Sequence, residues 1–75
     1  MMIATEAVRE IMEARGVRPV DLRKRLGLES NTMNERLNQK NISIAKLNEM
    51  LRVMDYKIVL VPSDTRVGAD EYEVE

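Results

Sequence analysis

Apolar residues recur at spacings of three and four along the first part of the chain, the period of a helix with one buried face. Val8, Ile11 and Met12 form the first such stripe. Thr5 is suited to cap the start of this helix, and Gly16 is suited to end it, because glycine adopts left-handed backbone angles without steric cost. The pattern therefore predicts a first helix between Thr5 and Gly16.

A second helix is predicted from Pro19 to the residue before Gly27. Proline suits the first turn of a helix, where its missing N–H costs nothing. Leu22 and Leu26 lie four residues apart and would share one buried face. Gly27 is expected to end this helix in a tight turn, for the same reason as Gly16.

A third, short helix is predicted after this turn, with Ser30 as its N-cap and with Met33 and Leu37 pointing inward. A helix, a tight turn with glycine and a second helix form the pattern of a helix-turn-helix unit. The two leucines of the second helix, with Met33 and Leu37, would hold the two helices together where they cross.

A fourth helix, capped by Ser43, has the clearest amphipathic pattern of the chain. Its apolar stripe consists of Ile44, Leu47, Leu51 and Met54, with Met50 beside it. Four helical segments make the expected fold class mainly α.

The pattern changes to that of a strand after Asp55. The run YKIVLVP is rich in β-branched residues and ends at Pro62. No second convincing strand occurs in the sequence, so we expect the segment to pair with the same strand of a second copy across a two-fold axis. The predicted interface residues are Lys57, Ile58, Val59, Leu60 and Val61. Two alternatives stay open: a strand packed on its own helices, or an apolar tail held in a groove beside the fourth helix.

Length and composition limit the possible functions. Seventy-five residues suffice for one small domain. The absence of cysteine and histidine excludes disulfides, ordinary zinc sites and any Ser-His or Cys-His nucleophile pair. We therefore expect neither catalysis nor a cofactor, and we expect self-association to reinforce the small core. The sequence has no apolar run of about 20 residues and no pattern of a secretion signal, so a cytoplasmic location is predicted.

The net charge of −1 conceals an uneven distribution. Residues 1–62 carry eleven Lys and Arg against eight Asp and Glu, a balance of +3, whereas residues 63–75 carry one against five, a balance of −4. Between Arg15 and Lys46 the counts are eight basic and three acidic. A basic middle suggests a nucleic-acid partner. We expect residues 1–62 to form the domain and the acidic residues 63–75 to form a flexible tail.

The outer side of the third helix is unusually polar. With Met33 and Leu37 inward, Glu35 points straight outward. Asn31, Thr32 and Asn38 are expected on the same side, and Asn34 and Arg36 on its flanks. In a major groove, asparagine can pair with adenine in bidentate fashion, threonine can contact the thymine methyl group, and glutamate can accept from cytosine. The alternative is that such residues are simply common near the ends of short helices.

The stretch ARGVRPVDLRKRLGLESNTMNERLNQKNISIAKLNEML resembles the Cro/repressor-type, or XRE-like, helix-turn-helix regulators of phage and bacteria. Glycine closes its first helix, leucine-glycine forms the turn, and leucine stands near the end of the third helix. The resemblance implies a lambda-repressor-like domain of four to five helices with a C-terminal strand. It also implies a homodimeric repressor that places residues 30–38 in the major groove of a palindromic operator.

The resemblance also implies roles for individual residues. Base reading would fall on Asn31, Thr32, Asn34, Glu35 and Asn38. Phosphate binding would fall on Arg18, Ser30, Lys40 and Asn41, to which the flanking charge adds Arg36. Two positions depart from the family pattern: Pro19 replaces a glutamine that often contacts a phosphate, and Arg23 replaces a small residue at the helix crossing.

A second function is also compatible with the sequence. The chain could be a protein-interaction module such as an antitoxin, with the acidic tail binding a partner protein. The tail could instead fold over the basic surface and weaken its binding to DNA.

Overall fold

The computed structural model describes residues 2–74 and contains, within that range, four α-helices. They are α1 (Ala4–Arg15), α2 (Pro19–Leu26), α3 (Ser30–Asn38) and α4 (Ile44–Val53). The mainly α fold predicted from the sequence is confirmed, with α1 packed on α3 and α4, and α2 packed on α3 and α4. None of these helices combines the length and the apolar character that crossing a membrane requires.

Glycine ends the first two helices, as predicted. Gly16 and Gly27 both adopt left-handed angles, with φ of +66° and +68°. After α2, the N–H of Leu28 donates to the carbonyl of Arg23 and the N–H of Gly27 to the carbonyl of Lys24, at 3.1 and 3.3 Å. These bonds reverse the chain within a short turn and place the start of α3 next to the end of α2.

Two of the predicted N-caps were wrong. The cap of α1 is Ile3, and Thr5 lies inside the helix, where it is only 3% exposed. The cap of α3 is Glu29, so Ser30 is the first helical residue. Ser43 does cap α4, since its Oγ accepts a hydrogen bond from the N–H of Lys46 at 3.2 Å. The buried Thr5 hydroxyl bonds to a distant carbonyl instead, which local sequence patterns do not reveal.

One apolar cluster holds the helices together. The ten buried apolar residues of the described chain are Ala7, Val8, Ile11, Met12, Leu22, Met33, Leu37, Met50, Leu51 and Met54, and all of them except Ala7 belong to this cluster. The predicted inward residues of α1 and α3 belong to it, so those stripes are confirmed. In α4 the buried face centres on Met50 and Leu51, whereas Ile44 is 73% exposed and does not join the core, contrary to expectation.

Arg36 was expected on the exposed flank of α3, and this expectation is wrong. The residue is only 9% exposed, and its Nη1 contacts Glu49 Oε1 of α4 at 3.4 Å. Its buried Nε has no hydrogen-bond partner among the described atoms. Met33, Arg36 and Leu37 therefore form the inward side of α3 together. Compared with the prediction, the centre of the exposed face is rotated away from Arg36, toward the side of Asn34 and Asn38.

The predicted strand at 57–61 is absent from the described single chain. Lys57 to Val61 run on without pairing into a ladder, and only an isolated parallel bridge joins Met2 to Val74. The physical reason is that a strand needs a partner for its N–H and C=O groups, and residues 2–74 place no second strand beside the segment. Leu60 is 99% exposed and Val59 is 61% exposed.

The chain after this segment returns to the first helix. The hydroxyl of Tyr56 donates to the carbonyl of Asp70 at 2.9 Å, and the rings of Tyr56 and Tyr72 lie 6.2 Å apart. The guanidinium of Arg15 lies over the Tyr56 ring at 5.1 Å from its centre. Tyr72 is half-buried against the core cluster, so these contacts connect the acidic tail to α1.

We expect Arg36→Met to leave the free energy of unfolding unchanged within about 1 kcal/mol or to raise it, because a buried guanidinium with an unpartnered Nε is costly to desolvate. Leu37→Ala is the control from the same helix, with an expected loss of about 2–5 kcal/mol. Urea unfolding of both variants makes the comparison. A loss above about 2 kcal/mol for Arg36→Met would contradict the prediction and show that the contact with Glu49 stabilises the fold.

Candidate nucleic-acid interface

The exposed face of α3 is made of short polar side chains. Asn31, Asn34, Glu35 and Asn38 are exposed, at relative positions i, i+3, i+4 and i+7 of one helical face. Behind them, Met33 and Leu37 are 2% and 4% exposed and fix the helix on the core. The helix thus presents hydrogen-bonding groups outward from a rigid base.

Two of the predicted base-reading residues are less available for contacts with DNA, one because of burial and one because of hydrogen bonds within the chain. Thr32 is half-buried, on the side of α3 that also carries Arg36. Asn38 is exposed, but its amide Nδ2 donates to the carbonyl of Asn34 at 2.9 Å and its Oδ1 accepts from Arg9 at 2.8 Å. Asn31, Asn34 and Glu35 are therefore the exposed candidates for which no side-chain hydrogen bond forms within the described part of the chain.

Most of the predicted phosphate-binding residues lie around the ends of α3. Ser30 is exposed at its first turn, and Lys40 and Asn41 are exposed in the bend that follows it. These residues therefore flank the polar face along the helix axis. The buried Arg36 does not share this surface.

Arg18, the N-cap residue of α2, forms a salt bridge with Asp21 in the first turn of the same helix. Its Nε and Nη2 each donate to a carboxylate oxygen of Asp21 at 3.1 Å, and its backbone N–H donates to Asp21 Oδ2 at 3.1 Å. These hydrogen bonds from Arg18 hold the pKa of the Asp21 carboxyl below its usual range and raise the pKa of the guanidinium. Asp21 thus caps α2 and neutralises the cation that was expected to meet a phosphate.

The departure at Arg23 has a structural explanation. Arg23 is half-buried, and its Nη1 donates to the carbonyl of Leu28 at 3.3 Å. The side chain therefore spans the turn between α2 and α3 and supplies a donor to its backbone. An arginine at this position fits the crossing because its stem packs while its charged end satisfies a carbonyl.

Sequence reasoning missed two residues of α1 that contact the end of α3. Arg9 donates through Nε and Nη2 to the carbonyl of Leu37, at 3.2 and 2.9 Å. Thr5 Oγ1 donates to the carbonyl of Gln39 at 2.8 Å. The partners are 28 and 34 residues apart, so no local pattern signals them. The only hint in the sequence is that α3, unlike α1 and α2, is not followed by a glycine.

An apolar groove lies on another side of the molecule. It has a volume of about 760 Å³ and is lined by α1, by α4 and by the chain from Asp55 to Val74. Its exposed large apolar members are Ile44, Ile58, Val59, Leu60, Val61, Val67 and Val74. Among residues 2–74 no group of acidic side chains is arranged to hold a metal ion.

The Arg18–Asp21 pair predicts a low titration midpoint for Asp21. Since its pKa is lower in the folded than in the unfolded chain, the stability it contributes is present above the ordinary carboxyl pKa of 3.8 and is lost as pH falls through the folded value. Titration of the carboxyl carbon by NMR should place Asp21 below its ordinary pKa of 3.8.

In Arg18→Ala, the Asp21 midpoint should rise toward the ordinary value. Arg25 contributes least to the shift, so Arg25→Ala is the matched control and should move the midpoint less. Equal midpoints in the wild type and in Arg18→Ala would show that the pair does not form in solution.

The comparisons with known proteins agree with this geometry. The family model of the Cro/C1-type helix-turn-helix DNA-binding domain matches residues 7–58, more than half of the 75-residue chain. Comparison with curated proteins and with solved structures gave no significant match. The matched range covers most of α1, all of α2 to α4, and the polar face of α3. The chain therefore belongs to the Cro/C1-type helix-turn-helix DNA-binding domain family.

Proposed function

We propose that this protein is a sequence-specific transcriptional repressor that inserts α3 into the major groove of a palindromic operator as a homodimer. The observation that carries the proposal is the exposed row of Asn31, Asn34 and Glu35 on a helix whose opposite side is buried in the core. The family is one of DNA-binding domains, which supports this use of the surface.

Base reading is assigned to the residues whose side chains are exposed and without side-chain hydrogen bonds in the described chain. Asn31 and Asn34 offer one donor and one acceptor each, the pattern that adenine presents in the major groove. Glu35 accepts from the cytosine amino group. Thr32 reaches a thymine methyl group from the edge of the face, and Asn38, already bonded to Arg9, lies at its far end.

Phosphate binding is assigned to Ser30, Lys40 and Asn41, at the two ends of α3. Lysine and serine are common phosphate ligands in protein–DNA interfaces, and such contacts fix the register of the protein on the duplex. Arg18 contributes when its guanidinium exchanges Asp21 for a phosphate. Arg36 is left out of the proposed set because it is buried against α4.

Dimerisation is assigned to residues 57–61. Ile58, Val59, Leu60 and Val61 are all exposed in the single chain and adjoin the apolar groove. A second copy would cover these side chains and satisfy the unpaired backbone of the segment by strand pairing. Two copies of α3 would then contact half-sites about 34 Å apart, one helical turn of DNA.

Selection from a random duplex library tests the DNA-binding proposal. A palindromic winner with affinity that falls steeply with salt is expected. Failure to enrich any sequence would contradict sequence-specific binding, and co-purification of one stoichiometric protein partner in that case would favour the interaction-module alternative.

On the selected duplex, Asn34→Ala should cost about 1–3 kcal/mol per half-site and relax the preference at one base pair of each half-site, because each protomer loses one bidentate base contact. Lys40→Ala should weaken binding to selected and scrambled duplexes alike and lower the log–log salt slope by about 0.9 for each protomer bound, or about 1.8 for the dimer. Fluorescence anisotropy at several salt concentrations separates the two effects.

Arg66→Ala is the charge-matched control for Lys40, since Arg66 lies in the tail and outside the polar face. Its salt slope should equal that of the wild type. If Asn34→Ala and Lys40→Ala behave identically, the division into base-reading and phosphate-binding residues is wrong.

Leu60→Asp should dissociate the dimer, because it places a charge in the apolar interface, and should leave the fold intact, because Leu60 is 99% exposed in the single chain. Sedimentation equilibrium and circular dichroism make the two measurements. Binding to the palindrome should fall far more than binding to one half-site. Ala14→Asp is the matched control, because it adds the same charge at an exposed residue of α1 that does not line the groove. A variant Leu60→Asp that stays dimeric would place the interface elsewhere.

A further inference from the structure

The C-terminal end of α3 is built differently from the ends of α1 and α2. Gln39 follows α3 with extended angles, φ −72° and ψ 132°, so no left-handed residue folds the chain back over the last turn. The N–H of Gln39 reaches only the carbonyl of Arg36, at 3.4 Å. The last carbonyl groups of a helix need partners, and here they must come from outside it.

Side chains of α1 supply these partners. The guanidinium of Arg9 donates to the carbonyl of Leu37 through two nitrogens and to Asn38 Oδ1 through one of them, at 2.8–3.2 Å. The hydroxyl of Thr5 donates to the carbonyl of Gln39 at 2.8 Å and is 3% exposed. A cation at the C-terminal end of a helix is also favoured by the helix dipole.

The spacing of the two donors matters as much as their chemistry. Thr5 and Arg9 stand four residues apart on α1 and therefore point from the same face of one rigid element. Together they bond to the chain at the carbonyls of Leu37 and Gln39. With the buried side chains of α3, these two points restrict both the position and the rotation of α3 relative to α1.

The hydrogen bonds from α1 are connected to the exposed polar face of α3 through Asn38. Asn38, which accepts from Arg9, donates through its own amide to the carbonyl of Asn34 at 2.9 Å. A small tilt or rotation of α3 would move the short side chains of Asn34 and Glu35 relative to the base edges, whereas the long, flexible side chain of Lys40 could still reach a phosphate. Recognition of this kind requires placement within about 0.5 Å.

We propose that Thr5 and Arg9 are positioning residues for sequence recognition: from α1 they set the angle at which α3 meets the bases. The inference rests on the proposed function and adds residues that do not themselves need to touch DNA. It predicts that their loss lowers the preference for the selected sequence more than it lowers binding to DNA in general.

The test uses the full chain with Thr5→Val, Thr5→Ser and Arg9→Lys. Valine keeps the shape of threonine without the hydroxyl, serine keeps the hydroxyl, and lysine keeps the charge of Arg9 without its fork of donors. Binding is measured on the selected duplex and on a scrambled duplex of the same length, at a temperature where circular dichroism shows every variant to be folded.

Thr5→Val and Arg9→Lys should each weaken binding to the selected duplex about tenfold, the effect of weakening one bidentate base contact, with little change on the scrambled duplex. Thr5→Ser should restore most of the selectivity. In the free protein, amide shifts of residues 37–40 should change in Thr5→Val and return in Thr5→Ser.

Equal losses on both duplexes would overturn the inference and leave only a structural role. Unchanged selectivity in all three variants would also overturn it. If the wild type itself prefers no sequence, the proposed function has failed, and positioning for recognition fails with it. The amide shifts remain a separate reading of whether Thr5 and Arg9 place α3, because they require no DNA.

Discussion

The fold depends on the burial of one side of α3 against the other helices. Met33 and Leu37 are its only deeply buried apolar residues, and both belong to the cluster formed by α1, α2 and α4. With so few apolar contacts, a short polar helix would not hold its position by packing alone. Three features therefore hold α3 in place: the apolar core, the hydrogen bonds from α1 and the tight turn at Gly27. The position of its exposed face depends on all three.

Elements governed by local chemistry could be predicted from the sequence. The turn at Gly27 followed from the need for left-handed angles, and Pro19 does stand at the start of α2. The direction of the polar face followed from the helical period of Met33 and Leu37. These features depend on residues within one or two turns of each other, so a periodic pattern suffices to find them.

Features that depend on distant contacts could not be predicted. The burial of Arg36 depends on α4, where Glu49 meets its guanidinium, and no pattern in α3 indicates this. Ile44 fits the stripe of its helix but lies beyond the edge of the core. The strand at 57–61 is predicted from composition, although pairing requires a second strand, which the described part of the single chain does not contain. The Thr5 hydroxyl was read as a local cap, yet its acceptor is 34 residues away.

The candidate interface shows the same division. Asn31 and Glu35 are exposed as the helical period predicts, and Asn34, expected on the flank, is exposed as well. The hydrogen bond between Arg9 and Asn38 depends instead on how α1 crosses α3. Arg18 is neutralised by Asp21, only three residues away in the sequence. A count of charges does not predict this, because it treats every arginine as equally available. The structure shows that these cations differ in their availability to DNA. Arg18 is paired with Asp21, Arg36 is buried against α4, and Lys40 is exposed and unpaired within the described chain.

The composition of the core has a chemical consequence. Four of its ten most buried apolar residues are methionine, at 0–4% exposure: Met12, Met33, Met50 and Met54. Thioethers are flexible and polarisable, and they fill the irregular space between short helices. They are also oxidised to polar sulfoxides, which a closed core cannot accommodate. Peroxide would therefore attack these sulfurs mainly in molecules that have opened, and their oxidation would prevent closing again, so oxidative damage to this protein would be governed by how often it unfolds.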